Sequence, residues 1–163
     1  MNKTLSFITC FLLALTGLKA QSTFTQKITL TALPVLEMKV DNNLTSSDFV
    51  FNTTEDYQNG KTKVQAIGIS VVSNLDWVVN VKSTSASFNP QTVGDIDIPS
   101  SAFLINKTGS NEQILLSTEN QTVAKGGLGG FEKNHFLLDY TAKPGSVKHD
   151  IYDIEVVYTL SPQ

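Results

Sequence analysis

Along most of this 163-residue chain, apolar and polar side chains alternate with a period of two, and the spacing of an amphipathic helix is almost absent. Ile28, Leu30 and Ala32 oppose Lys27, Thr29 and Thr31. After a break at Leu33-Pro34 the pattern resumes, with Leu36, Met38 and Val40 against Glu37, Lys39 and Asp41. Phe49 and Phe51 alternate in a shorter piece. Val64 to Val72 is a more continuous run rich in β-branched residues, the kind that lies in the middle of a sandwich. Trp77, Val79 and Val81 then alternate with Asp76, Asn80 and Lys82, and Phe136, Leu138 and Tyr140 share one face. The longest pattern comes last, in Tyr152, Ile154, Val156, Tyr158 and Leu160. Its regularity predicts a strand central to its sheet.

Turn residues separate these segments: Asp41-Asn42-Asn43, Asn59-Gly60, Ser73-Asn74, Asn89-Pro90, Gly109-Ser110-Asn111 and Pro144-Gly145. Strands so punctuated predict an all-β fold, an antiparallel immunoglobulin-like β-sandwich of about eight or nine strands. Residues 83–133 are richer in Ser, Asn, Thr and Gly, which predicts long loops with short edge strands. No composition break or repeat divides the chain, so residues 21–163 read as a single domain.

The first twenty residues follow a different rule. Lys3 precedes an apolar run from Leu5 to Leu18, and Leu18-Lys19-Ala20 presents a small residue before Gln21, the pattern of a signal peptide removed after Ala20. The run is shorter than the roughly 20 apolar residues that span a bilayer, and the mature chain has no second such segment. A lipid anchor on Cys10 is the rival reading, but Thr9 stands where a small residue belongs. Cleavage removes Lys3 and Lys19, leaving ten lysines against fifteen acidic groups, a charge of −5 with both histidines neutral. It also removes the only cysteine, which rules out a disulfide, a thiol nucleophile and a Cys-based zinc site. The chain has no arginine, and with its acidic balance that argues against nucleic acid.

Candidate chemistry is sparse. His135 and Asp139 are four apart in a strand, separated by about 13 Å at roughly 3.3 Å per residue, too far to chelate one metal. They read as an outward polar face, and His149-Asp150 as a solvated loop pair. No nucleophile elbow, zinc-binding helix or phosphate loop is present. Gly126-Gly127-Leu128-Gly129-Gly130 reads as a flexible loop. Asp95 and Asp97, or Glu55 and Asp56, offer oxygens for calcium but fewer than the six to eight it takes. Trp77 is a candidate stacking platform for sugars, although the first inward residue of such a strand is more often a core anchor. Mature-chain Asn-x-Ser/Thr triplets start at Asn43, Asn52, Asn106 and Asn120 and read as surface turns. No catalytic, cofactor or metal site emerges.

Two stretches carry a resemblance: Ser73-Asn74-Leu75-Asp76-Trp77-Val78-Val79-Asn80-Val81 leading to Phe88, and Asp139-Tyr140 through Asp153-Ile154-Glu155-Val156-Val157-Tyr158-Thr159-Leu160. Together they resemble the WxL-like group of bacterial surface proteins, in which a Trp-x-hydrophobic strand lies mid-chain and an aromatic-x-Leu strand closes the domain. The chain is also similar to short secreted proteins of Bacteroidetes type, whose leaders often end in Ala-Gln as Ala20-Gln21 does. The resemblance implies a β-sandwich, a non-enzymatic role and a location at the cell surface.

The resulting expectation is a secreted, periplasmic or cell-surface domain that binds an envelope component, polysaccharide or another surface protein. The alternative is a pilus or surface-fibre subunit that self-assembles by β-strand addition, with Thr23–Thr31 as the donor.

Overall fold

The computed structural model describes residues 22–41, 47–92 and 97–163. The expected signal peptide with Cys10, the triplet at Asn43 and the calcium candidate Asp95 lie outside the described residues. The chain divides into two units, Met1–Ala32 and Leu33–Gln163. In the first, residues 22–32 form neither helix nor strand, and all are exposed. Phe24 is 87% accessible, Ile28 77% and Leu30 93%. The strand expected over Lys27–Ala32 is therefore not formed, because alternation makes a strand only where a neighbour supplies the ladder.

The second unit is all-β. Its strands are β1 (Leu36–Asp41), β2 (Lys61–Ser73), β3 (Trp77–Ser83), β4 (Asn89–Pro90), β5 (Phe103–Lys107), β6 (Ile114–Leu115), β7 (Gln121–Gly126), β8 (His135–Ala142), β9 (Tyr152–Asp153) and β10 (Val156–Pro162). They form a five-stranded sheet in the order β1-β2-β8-β5-β6, a three-stranded sheet β10-β3-β7, and a two-stranded ribbon β4-β9. All pairings are antiparallel.

Trp77, Val79 and Val81 of β3 are buried in strict alternation with half-buried neighbours, as the period-2 pattern predicts. They form one core with Ile69 and Val71 of β2, Phe136 and Leu138 of β8, and Ile105 of β5. Trp77 lies over Phe136 with centroids 6.4 Å apart and planes 10° from parallel.

Three expectations are corrected. The last strand is not central: β10 is the edge of its sheet, broken from β9 at Ile154-Glu155. Alternation reports that one face is covered; it carries no information about which strands lie alongside. Residues 83–133 hold more than edges, since β5 runs between β8 and β6 with Phe103, Leu104 and Ile105 buried. Phe49 and Phe51 lie in no strand but lead into a short helix, α1 (Thr54–Asn59).

The sequence around α1 explains its start. Thr53 Oγ1 accepts the Asp56 N–H at 3.1 Å, and Asp56 Oδ2 accepts the N–H groups of Thr53 at 3.1 Å and Asn52 at 3.0 Å. Gly60 ends the helix at φ 75°, where a Cβ would stand 2.5 Å from Lys143 Cγ and 2.7 Å from the Ala142 carbonyl oxygen.

At the β2–β3 turn, Asn74 secures the start of the unit. Its side chain accepts the Val35 N–H at 2.8 Å and donates to the Leu33 carbonyl at 2.7 Å. The chain thus enters Leu33–Gln163 at the end that bears this turn.

Candidate functional site

At the other end of the strands, the five-stranded sheet is wider than the sheet facing it, and the interior opens. Ile67, Phe103, Tyr140 and Ala142 form the floor of a cleft of about 990 Å³, with Val156 and Tyr158 of β10 overhead. Phe49, Phe51 and Tyr57 make one wall, and Phe88, Ile151 and Ile154 belong to the other.

Aromatic contacts hold the floor and first wall together. Phe49 meets Phe103 edge-on at 5.9 Å, Phe103 meets Tyr140 at 5.1 Å, and Phe51 meets Tyr57 at 5.5 Å. The helix braces that wall from outside. Lys61 Nζ bonds Asp56 at 3.1 Å and the Val50 carbonyl at 2.6 Å, while Lys63 Nζ sits 5.1 Å from the centre of the Phe49 ring. Backbone bonds from Asn52 foremost, helped by Lys61 and Thr53, hold the Asp56 carboxyl down at about 2.

Lys148 and His149 also line the cleft, while the rim carboxylates Asp150 and Asp153 serve the fold. Asp150 accepts the N–H groups of Thr92 at 2.9 Å and Ile151 at 2.8 Å, and Asp153 accepts the Gln91 amide at 2.9 Å. The Tyr140 and Tyr158 hydroxyls pair at 2.8 Å, and burial raises both phenols above their ordinary range. Tyr152 is also raised, by desolvation and then by the Asp150 charge. These phenols stay protonated at neutral pH, able to hydrogen-bond but not to act as bases.

The residues singled out from sequence lie elsewhere. Trp77 is 3% exposed, and its Nε1 donates to the Gly127 carbonyl at 3.0 Å, so neither ring face is open to a sugar. Asp97 is exposed and does not line the cleft, although the next residue, Ile98, does. Asp56 is committed to the helix cap. Among the described residues, no three His, Cys, Asp or Glu side chains gather as a metal site. No helix among them is long and apolar enough to cross a membrane.

Asp139 differs from the outward polar residue expected. It is 8% exposed, opposite a β-bulge where β2 slips register between Lys63 and Ile67. Its carboxylate accepts the N–H of Gln65, whose φ is 53°, at 2.8 Å, the Asn106 amide at 3.2 Å, and the Thr108 hydroxyl. The Asn106 triplet begins in strand β5, and its Thr108 lies in the turn that follows. His135 is exposed and meets Ser70 Oγ at 2.9 Å.

The glycine-rich stretch is also no free loop. Gly129 exchanges backbone bonds with Ser73 at 2.9 and 3.0 Å, and Gly127 accepts from Asn134 at 3.0 Å as well as from Trp77.

No local motif marks the cleft in the sequence. An inward aromatic has the same spacing whether a facing strand covers it or leaves it open. The available signal is the crowding of Phe49, Phe51 and Tyr57 around Asp48 and Glu55, an aromatic density unusual for a polar connection. No protein-family model matches this chain, and no curated protein matches it in sequence.

Proposed function

We propose that this protein is an exported, non-catalytic module of immunoglobulin-like β-sandwich type that recognises another surface protein through the cleft beneath β10. The observation that carries the reading is the lining: aromatic and aliphatic side chains from both sheets, with the rim carboxylates Asp150 and Asp153 bonded to the domain's own backbone and side chains. The aromatic and aliphatic part of that lining suits apolar side chains of a partner, with Lys148 and His149 among the polar side chains beside it. An envelope polysaccharide is the second candidate, because Lys148 and His149 also line the cleft and offer polar partners to its hydroxyls. The WxL-like resemblance points the same way, to a surface location and a non-enzymatic role.

Val50 and Ile151 lie at the mouth and are 67% and 60% exposed, so acidic side chains there would obstruct entry with little cost to folding. The test is co-sedimentation of the leader-free chain with envelope fractions separated into protein and polysaccharide. Binding to the protein fraction, lost in V50E/I151E, is the expected result. Equal binding by the variant, or turnover of envelope polymer by the wild type, contradicts the proposal.

A further inference from the structure

We infer that the segment the cleft receives is residues 22–32 of a second copy of this chain, added as a strand along the free edge of β10. This rests on the cleft being the binding surface and names its occupant.

The first ground is the state of the sheet edges. A free edge is normally blunted by charge, brevity or distortion. β1 carries Glu37, Lys39 and Asp41; β6 has only Ile114 and Leu115; β7 carries Lys125 and a register shift opposite Val79 and Asn80. β10 has none of these three protections: Val156-Val157-Tyr158-Thr159-Leu160-Ser161 is uncharged up to the closing Pro162, and among the described residues it pairs, in unbroken register, with β3 alone. Its inward residues Val156, Tyr158 and Leu160 remain only half-buried.

The second ground is the segment. Its even positions hold Phe24, Ile28, Leu30 and Ala32, with Gln26 between, and its odd positions are Thr23, Thr25, Lys27, Thr29 and Thr31. That alternation is the pattern of a strand with one apolar and one polar face, yet the residues form no strand and all are exposed. One part of the chain lacks a sheet, and another, although β1 lies close to it, has no hydrogen-bonded strand on its outer side among the described residues.

The third ground is direction. The chain enters Leu33–Gln163 beside Asn74, at the end with the β2–β3 turn, whereas the cleft opens at the other end. Donation between copies therefore joins unlike surfaces, a contact that extends into a linear assembly unless its rotation closes a ring. Strand addition supplies main-chain hydrogen bonds, and the even-numbered side chains enter the cleft.

The experiment uses the leader-free chain, an I28D/L30D variant that spoils the donor, and a V157K/T159K variant that places charge on the edge. Ile28 and Leu30 are exposed, Val157 is 36% exposed and Thr159 is also exposed, so both variants should keep the wild-type circular dichroism. In sedimentation velocity the wild type is expected to form oligomers that grow with concentration. Each variant alone should be monomeric, and an equimolar mixture should stop at dimers, since only one junction can form. A labelled peptide of residues 22–32 should bind I28D/L30D and lose at least tenfold in affinity when V50E/I151E is added to that chain. A monomeric wild type, or assembly that survives both variants, overturns the inference. If the peptide fails to bind while an envelope protein binds and is lost in V50E/I151E, the inference falls and the cleft reading stands. If neither binds, both fall.

Discussion

The hydroxyls of Tyr140 on β8 and Tyr158 on β10 meet at 2.8 Å, joining the five-stranded sheet to the edge of the three-stranded one at the cleft. Burial raises both phenols above their ordinary value of 10.0. A raised folded pKa contributes stability that is complete below the unfolded value and declines as pH rises beyond it. Wild-type melting temperature should therefore hold up to about pH 10 and fall above it, and Y140F/Y158F should flatten that fall. At neutral pH, Y158F alone should cost about 1–3 kcal/mol, because the Tyr140 hydroxyl loses its partner. Denaturant titrations at several pH values measure both effects.

Asp56 gives the opposite dependence. Its carboxyl titrates near its ordinary value of 3.8 when free and at about 2 in the fold. The contribution is present above the free value and disappears as pH falls through the folded one. The cleft wall at Phe49 and Phe51 should loosen between about pH 4 and pH 2, as fluorine labels on the phenylalanines would report. D56N should show that looseness already at pH 7.

Trp77 requires a glycine beside it. A Cβ on Gly126 would stand 2.5 Å from Trp77 Cζ2 and 2.9 Å from Cε2. G126A should destabilise by about 1–3 kcal/mol through overpacking, and W77A by about 3–5 kcal/mol through the cavity it leaves. Chemical denaturation with matched m-values decides both. A nearly neutral G126A would show that the ring has room to shift.

Asp139 should behave as a structural carboxylate. D139A leaves the Gln65 N–H, the Asn106 amide and the Thr108 hydroxyl without their acceptor, at a cost of about 1–3 kcal/mol. D139N keeps one acceptor oxygen and should recover part of that loss. Unchanged stability in D139A would mean that water replaces the carboxylate freely.

What was legible in the sequence followed from burial on one face. β3 and β8 stand where Trp77-Val79-Val81 and Phe136-Leu138-Tyr140 place them, because alternation reports that contrast directly. β5 was lost among polar residues because Phe103-Leu104-Ile105 is a continuous apolar run too short for a period. α1 spans too few residues to show helical spacing, although Thr53 and Asp56 carry its cap. Asp139 alternates like a solvent-facing residue; its bulge comes from β2, and its partners Asn106 and Thr108 from β5 and the turn after it, all far away in sequence. The cleft depends on one sheet being narrower than the other, which is a property of strand order and invisible to local pattern.

Hydrogen exchange at β10 tests the central claim most directly. In the I28D/L30D chain, the outward-facing amides of residues 156–161 have, among the described residues, no ladder beyond β3 and should exchange quickly. Saturation with the peptide of residues 22–32 should slow them at least tenfold while leaving the outer edge of β7 unchanged. Peptide bound with no added protection along β10 would contradict strand addition at this edge.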